Sequence, residues 1–317
     1  MPEVQKRRVL FDTDPGVDDS MAILLAFASP EIEVVGLSTV FGNTGVDVTT
    51  ANALRLVELA GHPEIPVAAG AAKPLLRPNT SRGDMVHGKN GLGEAEFPEP
   101  KVKPDPRRAP QLIVDTIMAN PGEITLVPLG PLTNVALAVA TEPRIAQNVR
   151  EVVLMGGAAA VPGNVSPVAE ANIHNDPEAA RIVFHAGWPI TMIGLDVTMK
   201  SVMSEAYLAE LAAARTPFTD FIAAITRHYL DFYRSVGFTE GMPVHDSSAL
   251  AYVIDPTLFT TRHAYVDVDH MSLHHPGQTV ADWRGQRGED PNVNVAIDVD
   301  AERFLDLYRQ RLTGAKA

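Results

Sequence analysis

The sequence predicts an α/β fold: an open, mostly parallel sheet with helices on its faces. Three observations carry that expectation. Near-continuous apolar strand patterns alternate with helix patterns from Arg7 to about Val197. Their apolar runs are unbroken rather than alternating, which indicates strands buried on both faces, as in parallel βαβ units. Short polar segments, "DTDPG", "FGN", "PLGPLTN" and "MGG", recur at the expected carboxyl ends of strands, where ligands of such sheets collect.

The elements follow in order. "RRVLF" reads as a strand, followed by a helix from about Asp18 to Ala28. "IEVVGLSTVFG", Ile32 to Gly42, is β-branched and apolar, "DVTTANALRLVELAG" has helical spacing, and "IPVAAG" is a short third strand. Ala72 to Pro110 then interrupts the alternation with seven prolines and the glycine-rich "HGKNGLG". A loop of that length is either functional, a lid for example, or a surface excursion. Strand "EITLVPLG", helix "LTNVALAVA", strand "VREVVLMGG", helix "DPEAARIVFHAG" and strand "PITMIGLDVT" resume the pattern. Beyond Val197, Thr216 to Ser235 is helical, with Phe218, Phe221, Ile222, Ile225, Tyr229, Phe232 and Tyr233 at helical spacing. "HDSSALAYVID" begins another helix, and "RHAYVDVD", "QTVADW" and "NVNVAIDVD" read as late, partly antiparallel strands. No linker-like shift and no repeat divides the chain, so residues 1–317 are expected to form a single domain.

Composition narrows the function classes. The chain has no cysteine, which excludes disulfides, thiolate metal sites and a cysteine nucleophile. A formal net charge of −13 without a basic stripe argues against nucleic-acid binding. No segment has the apolar length of a membrane span, and "MPEVQKRRVLF" lacks a signal-peptide core, which fits a cytoplasmic address. The expected partner is a metal ion or a neutral small molecule.

The chemistry concentrates in "VLFDTDPGVDD", where Asp12, Asp14, Asp18 and Asp19 fall within eight residues. Alternation along the strand exit sends the side chains of Asp12 and Asp14 to opposite faces. Asp18 and Asp19 at a helix start are explained by capping and by the helix dipole. Asp14, crowding the same point, is not. Oxygen ligands without sulfur suit a hard cation such as Ca²⁺ or Mg²⁺. A second group, His245 and Asp246, opens an apolar helix; Asp246 alone reads as an N-cap and His245 as structural or catalytic. A third, "GNVSPVAEANIHNDPEAA", places Asn164, Glu170 and Asn172 in a polar loop. Amides and carboxylates there suit hydroxyl groups, which both donate and accept, and the composite suggests a sugar.

With "DTDPGVDD", "FGN", "PLGPLTN", "VVLMGG", "GN…AEAN…NDPEAA" and "VHD" in this order, the sequence resembles the nucleoside hydrolases of the inosine–uridine-preferring type, from about Val9 to Phe304. The resemblance implies a Rossmann-like fold and hydrolysis of the N-glycosidic bond of purine or pyrimidine ribonucleosides to free base and ribose. It implies a Ca²⁺ held by Asp14, Asp19, Asp246 and the Leu129 carbonyl, with Asp14 also the general base. Asp18, Asn43 and Asn172 match residues at the metal-bound ribose hydroxyls, and Met155, Asn164 and Glu170 match the 5′-hydroxyl side. His245 matches the position linked to leaving-group protonation. Tyr229 and Tyr233 match aromatic positions near the base, although both also fit an ordinary core stripe. Relatives of this kind form homodimers or homotetramers. Ala171 stands where an aromatic residue is common in the family, which leaves base preference open.

Two other readings compete. In phosphohydrolases of the haloacid-dehalogenase type a strand also ends in two aspartates one residue apart, but Pro15 and Gly16 followed by Asp18 and Asp19 fit that pattern poorly. A Ca²⁺-dependent ribose sensor without turnover is the other, and the joint presence of Asp14 and His245 argues against it.

Overall fold

A computed structural model describes residues 6–314. The first five residues of "MPEVQKRRVLF", and part of the signal-peptide reading with them, lie outside the described residues. In chain order the elements are β1 (Arg7–Thr13), α1 (Val17–Phe27), β2 (Ile32–Thr39), α2 (Val46–Leu59), β3 (Val67–Ala69), α3 (Asp84–His87), α4 (Ala109–Ala119), β4 (Ile124–Pro128), α5 (Thr133–Thr141) and α6 (Ile145–Asn148). There follow β5 (Glu151–Met155), α7 (Ala171–Asn175), α8 (Pro177–Phe184), β6 (Ile190–Ile193), α9 (Leu195–Thr198), β7 (Val202–Met203), α10 (Glu205–Ala213) and α11 (Pro217–Ser235). The last are β8 (Met242–Pro243), α12 (Asp246–Ile254), β9 (Phe259–Asp269), β10 (Gln278–Asp282), β11 (Val293–Val299) and α13 (Ala301–Gly314).

Nine strands form one sheet in the order β10-β9-β11-β6-β5-β4-β1-β2-β3. Its pairs from β3 to β11 are parallel, while β9 pairs antiparallel with both β11 and β10. The fold class and the late antiparallel strands are as expected. Period-two alternation divides each central strand between two apolar layers: Val9 and Phe11 pack on one face and Leu10 on the other. β1 lies between β2 and β4, so the chain turns one way after β1 and the other way at β4. That reversal opens a crevice at the carboxyl ends of β1 and β4.

Three local readings differ from expectation. The strand in "PITMIGLDVT" ends at Ile193, and Leu195–Thr198 is helical. The Asp196 carboxylate accepts the Ala159 and Ala160 N–H groups, and that polar tie favours a turn over further pairing. Helices α4 and α13 escape the apolar pattern because their buried faces are narrow: Leu112, Ile113 and Ile117 in one, Phe304, Tyr308 and Leu312 in the other. Asn172 belongs to the short helix α7, with Glu170 as its N-cap, rather than to an irregular loop.

The 72–110 segment is irregular apart from α3 and the first turn of α4. Gly93 seats it on α11. Its φ is +63°, and a Cβ there would stand 2.2 Å from the Ile225 carbonyl oxygen. Only glycine tolerates both conditions.

Candidate active site

The crevice is lined by the opening motif. β1 delivers Asp12 and Asp14, Pro15 and Gly16 turn the chain, and the first turn of α1 presents Asp18 and Asp19. All four aspartates are buried. Asp12 turns away from the others: its Oδ1 accepts from Ser38 Oγ at 2.7 Å and Asn134 Nδ2 at 2.8 Å. Burial raises its pKa to about 7 against those two bonds. This is the opposite-face placement that alternation predicts.

Asp19 is the most fully bonded. Its Oδ1 accepts from Thr13 Oγ1 (2.6 Å) and the Asp14 N–H (3.2 Å), and its Oδ2 from the Gly16 N–H (3.0 Å) and Asn43 Nδ2 (2.8 Å). Asp14 accepts the Asn43 N–H on Oδ2 at 2.7 Å, while its Oδ1 has no hydrogen-bond partner among the described residues. That oxygen is pressed toward Gly130, where a Cβ would lie 2.3 Å away. Asp18 accepts Tyr229 O–H on Oδ2 at 3.2 Å, and its Oδ1 is likewise without a hydrogen-bond partner. From the other side of the crevice α12 brings in Asp246. One carboxylate oxygen each of Asp18, Asp19 and Asp246 lies within 4.8 Å of the other two. The tightest acidic group therefore includes Asp18, with Asp14 beside it.

Burial is the largest influence on each of these carboxyls and raises its pKa; for Asp246 the charges of Asp18, Asp19 and Asp14 add to it. Among the described residues no Lys or Arg pairs with any of the four; the nearest basic group is His87, with Nδ1 3.7 Å from Asp18 Oδ1. His87 cannot neutralise the cluster. Its Nδ1 accepts the Val17 N–H at 3.1 Å, and burial lowers its pKa to about 4. Four buried carboxylates cannot ionise together without a cation. Their all-oxygen donor set and the two unpartnered oxygens fit a hard divalent ion.

The remaining predicted residues ring this cluster. Asn43 bridges Asp14 and Asp19, and its Nδ2 also donates to the Asp14 carbonyl at 3.1 Å. Asn172 Nδ2 donates to the Leu129 carbonyl at 2.7 Å and to that of Met155 at 3.2 Å, joining the ends of β4 and β5. Glu170 is buried, and its carboxylate accepts the N–H groups of Gly157, Asn172 and Ile173. Asn164 is exposed and accepts the Ala171 N–H at 3.0 Å. In this arrangement Asn43, Asn164 and Glu170 hold other parts of the site in place.

Tyr229 and Tyr233 sit one turn apart on α11. Tyr229 O–H bonds Asp18, Tyr233 O–H lies 2.8 Å from His245 Nε2, and His245 Nδ1 lies 2.9 Å from Thr198 Oγ1. The tyrosine pair is thus both packed and wired to the acidic cluster. His87, Thr198 and Asn134 were not singled out by sequence reasoning. The glycine-rich "HGKNGLG" was a signal for His87, and "PLTN" one for Asn134; Thr198 gave none.

Known proteins resemble the chain in both sequence and fold. The family model described as inosine-uridine preferring nucleoside hydrolase matches residues 9–306. The inosine-uridine preferring nucleoside hydrolase of Leishmania major is 44% identical over 303 residues, covering 95% of this chain and 96% of that one. Among solved structures, the plant nucleoside hydrolase PpNRh1 superposes with a TM-score of 0.92 at 36% identity, covering 98% of this chain and 99% of its own. A purine-preferring ribonucleoside hydrolase from Gardnerella vaginalis gives 0.91 at 34% identity, covering 97% and 98%. The phosphohydrolase reading falls with these matches and with Asp12, whose enclosure between Ser38 and Asn134 leaves it no access to the cluster. With the parallel sheet, the switch-point crevice and the matched sequence all in place, the chain belongs to the inosine-uridine preferring nucleoside hydrolase family and is a nucleoside N-ribohydrolase.

Proposed function

We propose that the protein hydrolyses purine and pyrimidine ribonucleosides to base and ribose in a Ca²⁺-dependent reaction. The single observation that carries the proposal is the buried cluster of Asp14, Asp18, Asp19 and Asp246 with no Lys or Arg partner among the described residues. Asp14, Asp19, Asp246 and the Leu129 carbonyl would hold the ion, with Asp18 close enough to share it or to take a ribose hydroxyl. When bound, the ion supplies the charge that lets these carboxylates ionise together and makes water more acidic.

The chain's own groups supply the rest. Asp14 Oδ1 has no donor among the described residues, which suits it to take the proton of the attacking water. Water attacks C1′, the C1′–N bond breaks, and its electron pair leaves with the base, through an oxocarbenium-like state. The surrounding carboxylates favour positive charge on the sugar. Asp18, Asn43 and Asn172 would meet the ribose 2′- and 3′-hydroxyls, and Met155, Asn164 and Glu170 would shape the 5′ side. His245 and Tyr233 supply hydrogen bonding to the leaving base, and Tyr229, whose O–H donates to Asp18, packs beside Tyr233 near it.

A purine-preferring relative and an inosine-uridine preferring one share this fold, and Ala171 leaves room at the base, which supports a broad range of bases. One sheet running through both halves of the chain supports a single domain. Among the described residues no helix is long and apolar enough to cross a membrane. Family resemblance supports a homodimer or homotetramer, and the lack of cysteine supports a cytoplasmic address.

The test is ribose release from inosine and uridine by protein stripped of metal and then reconstituted. Ca²⁺ should restore turnover of both, and p-nitrophenyl phosphate should stay intact. Full activity in protein shown to be metal-free would overturn the Ca²⁺ assignment, and ribose binding without release would favour the sensor.

A further inference from the structure

The far side of His245 is held by a group the reaction never touches. Thr198, the last residue of α9, is fully buried, and its Oγ1 lies 2.9 Å from His245 Nδ1. No other hydrogen-bond partner of that hydroxyl occurs among the described residues. Two arrangements are possible. If Nδ1–H donated to Thr198, the threonine hydrogen would be buried without an acceptor, a state proteins avoid. If Thr198 donates to Nδ1, every group is satisfied. The hydroxyl therefore donates, and the neutral imidazole carries its single hydrogen on Nε2.

The other end of the chain of hydrogen bonds accommodates the same direction. Tyr229 O–H donates to Asp18 Oδ2 at 3.2 Å, so its oxygen is left as an acceptor for Tyr233, 3.5 Å away. Tyr233 in turn accepts His245 Nε2–H at 2.8 Å. With the opposite tautomer, Tyr233 O–H would be drawn to a bare Nε2 lone pair and turned away from the crevice. With this one, Tyr233 O–H is free. Its contact with Tyr229 is long, so a better acceptor would take it.

We propose that Thr198 is a positioning residue: by donating to Nδ1 it fixes the His245 hydrogen on Nε2 and keeps the Tyr233 O–H available to the departing base. This rests on the reading of the His245–Tyr233 pair as serving the leaving group. It involves no change in the protonation state of His245, only the placement of its hydrogen. Among the described residues no other group bonds Nδ1, and His245 makes no side-chain capping bond at the start of α12.

The experiment uses holoenzyme labelled with ¹⁵N at histidine. The His245 signals are identified by their loss in His245→Gln, and their nitrogen shifts and proton couplings report which nitrogen bears the hydrogen. The wild type should show Nε2–H, and Thr198→Ser should keep it. Thr198→Val should lose it and lower kcat for inosine and uridine roughly 10–100-fold, less than the roughly 10²–10⁴-fold of a lost acid because Thr198 acts only through His245. KM should hold, and p-nitrophenyl riboside, whose phenolate leaves unaided, should keep its rate. Hydrogen on Nδ1 in the wild type would overturn the inference even if Thr198→Val does not fold. Equal losses on both kinds of substrate, or none on either, would also overturn it. Failure of the wild type to cleave any nucleoside would instead sink the functional reading, while the tautomer would still be read.

Discussion

Asn134 offers the sharpest test of how the crevice is held together. Its amide is fully buried and links three separate segments. Nδ2 donates to Asp12 Oδ1 at 2.8 Å and to the Thr39 carbonyl at 2.9 Å, while Oδ1 accepts the Ala71 N–H at 2.9 Å. β1, β2 and the entry to the long 72–110 segment are thereby tied to the first turn of α5. Asn134→Ala removes all three bonds, and at about 1 kcal/mol each the loss is about 3 kcal/mol. For a chain of 317 residues, an unfolding entropy of about 2.1 cal/mol/K per residue makes that roughly 4–5 °C in Tm. Asn134→Asp should be worse despite its smaller change in shape. It keeps the acceptor for Ala71 but sets an oxygen against Asp12 Oδ1 and the Thr39 carbonyl, replacing two attractions with two repulsions. Thermal unfolding of both variants, at neutral pH and fixed Ca²⁺, measures the order. An aspartate variant as stable as the alanine one, or more so, would show that the donor pattern at Asn134 does not hold these segments.

Four further outcomes are expected. Removing Ca²⁺ should lower Tm as well as abolish turnover, since an ion at 100 times its Kd adds about 2.7 kcal/mol to the folded state alone; calorimetry with and without chelator measures this. Asp14→Asn should cut kcat severely while Asp12→Asn costs far less, because an amide at Asp12 can still accept from Ser38 and Asn134; equal losses with metal content intact would contradict the separation. His245→Ala should slow inosine cleavage by roughly 10²–10⁴-fold and leave p-nitrophenyl riboside nearly unchanged, as steady-state rates on the two substrates will show. Gly93→Ala should raise KM and expose the 72–110 segment to proteolysis, because its Cβ would collide with the Ile225 carbonyl at a φ of +63°; an unchanged digestion pattern would mean that the segment is not seated there.

The sequence by itself determined the layered architecture and the location of the chemistry. Unbroken apolar runs such as "VLF" and "VVL" require burial on both faces, and β1 divides its side chains between two apolar layers as that requires. Four aspartates within eight residues marked where the acidic cluster lies, because their mutual repulsion is a local property of the chain, although Asp12 points away from it. Tertiary structure decided what depends on contacts distant in sequence. That Asp18 joins Asp19 and Asp246 in the tightest group follows from α12 crossing α1, and no local pattern encodes that meeting. His87 reaches the crevice only because glycines let its loop press against α11 and the opening turn. Asn43 and Glu170 read as hydroxyl ligands, and packing also gives them structural partners: Asn43 Nδ2 donates to the Asp14 carbonyl and the Asp19 carboxylate, and the Glu170 carboxylate accepts the N–H groups of Gly157, Asn172 and Ile173. A residue's type reveals which bonds it is able to make. Which partner it meets is set by packing, because a buried polar group must bond whatever the fold brings within reach.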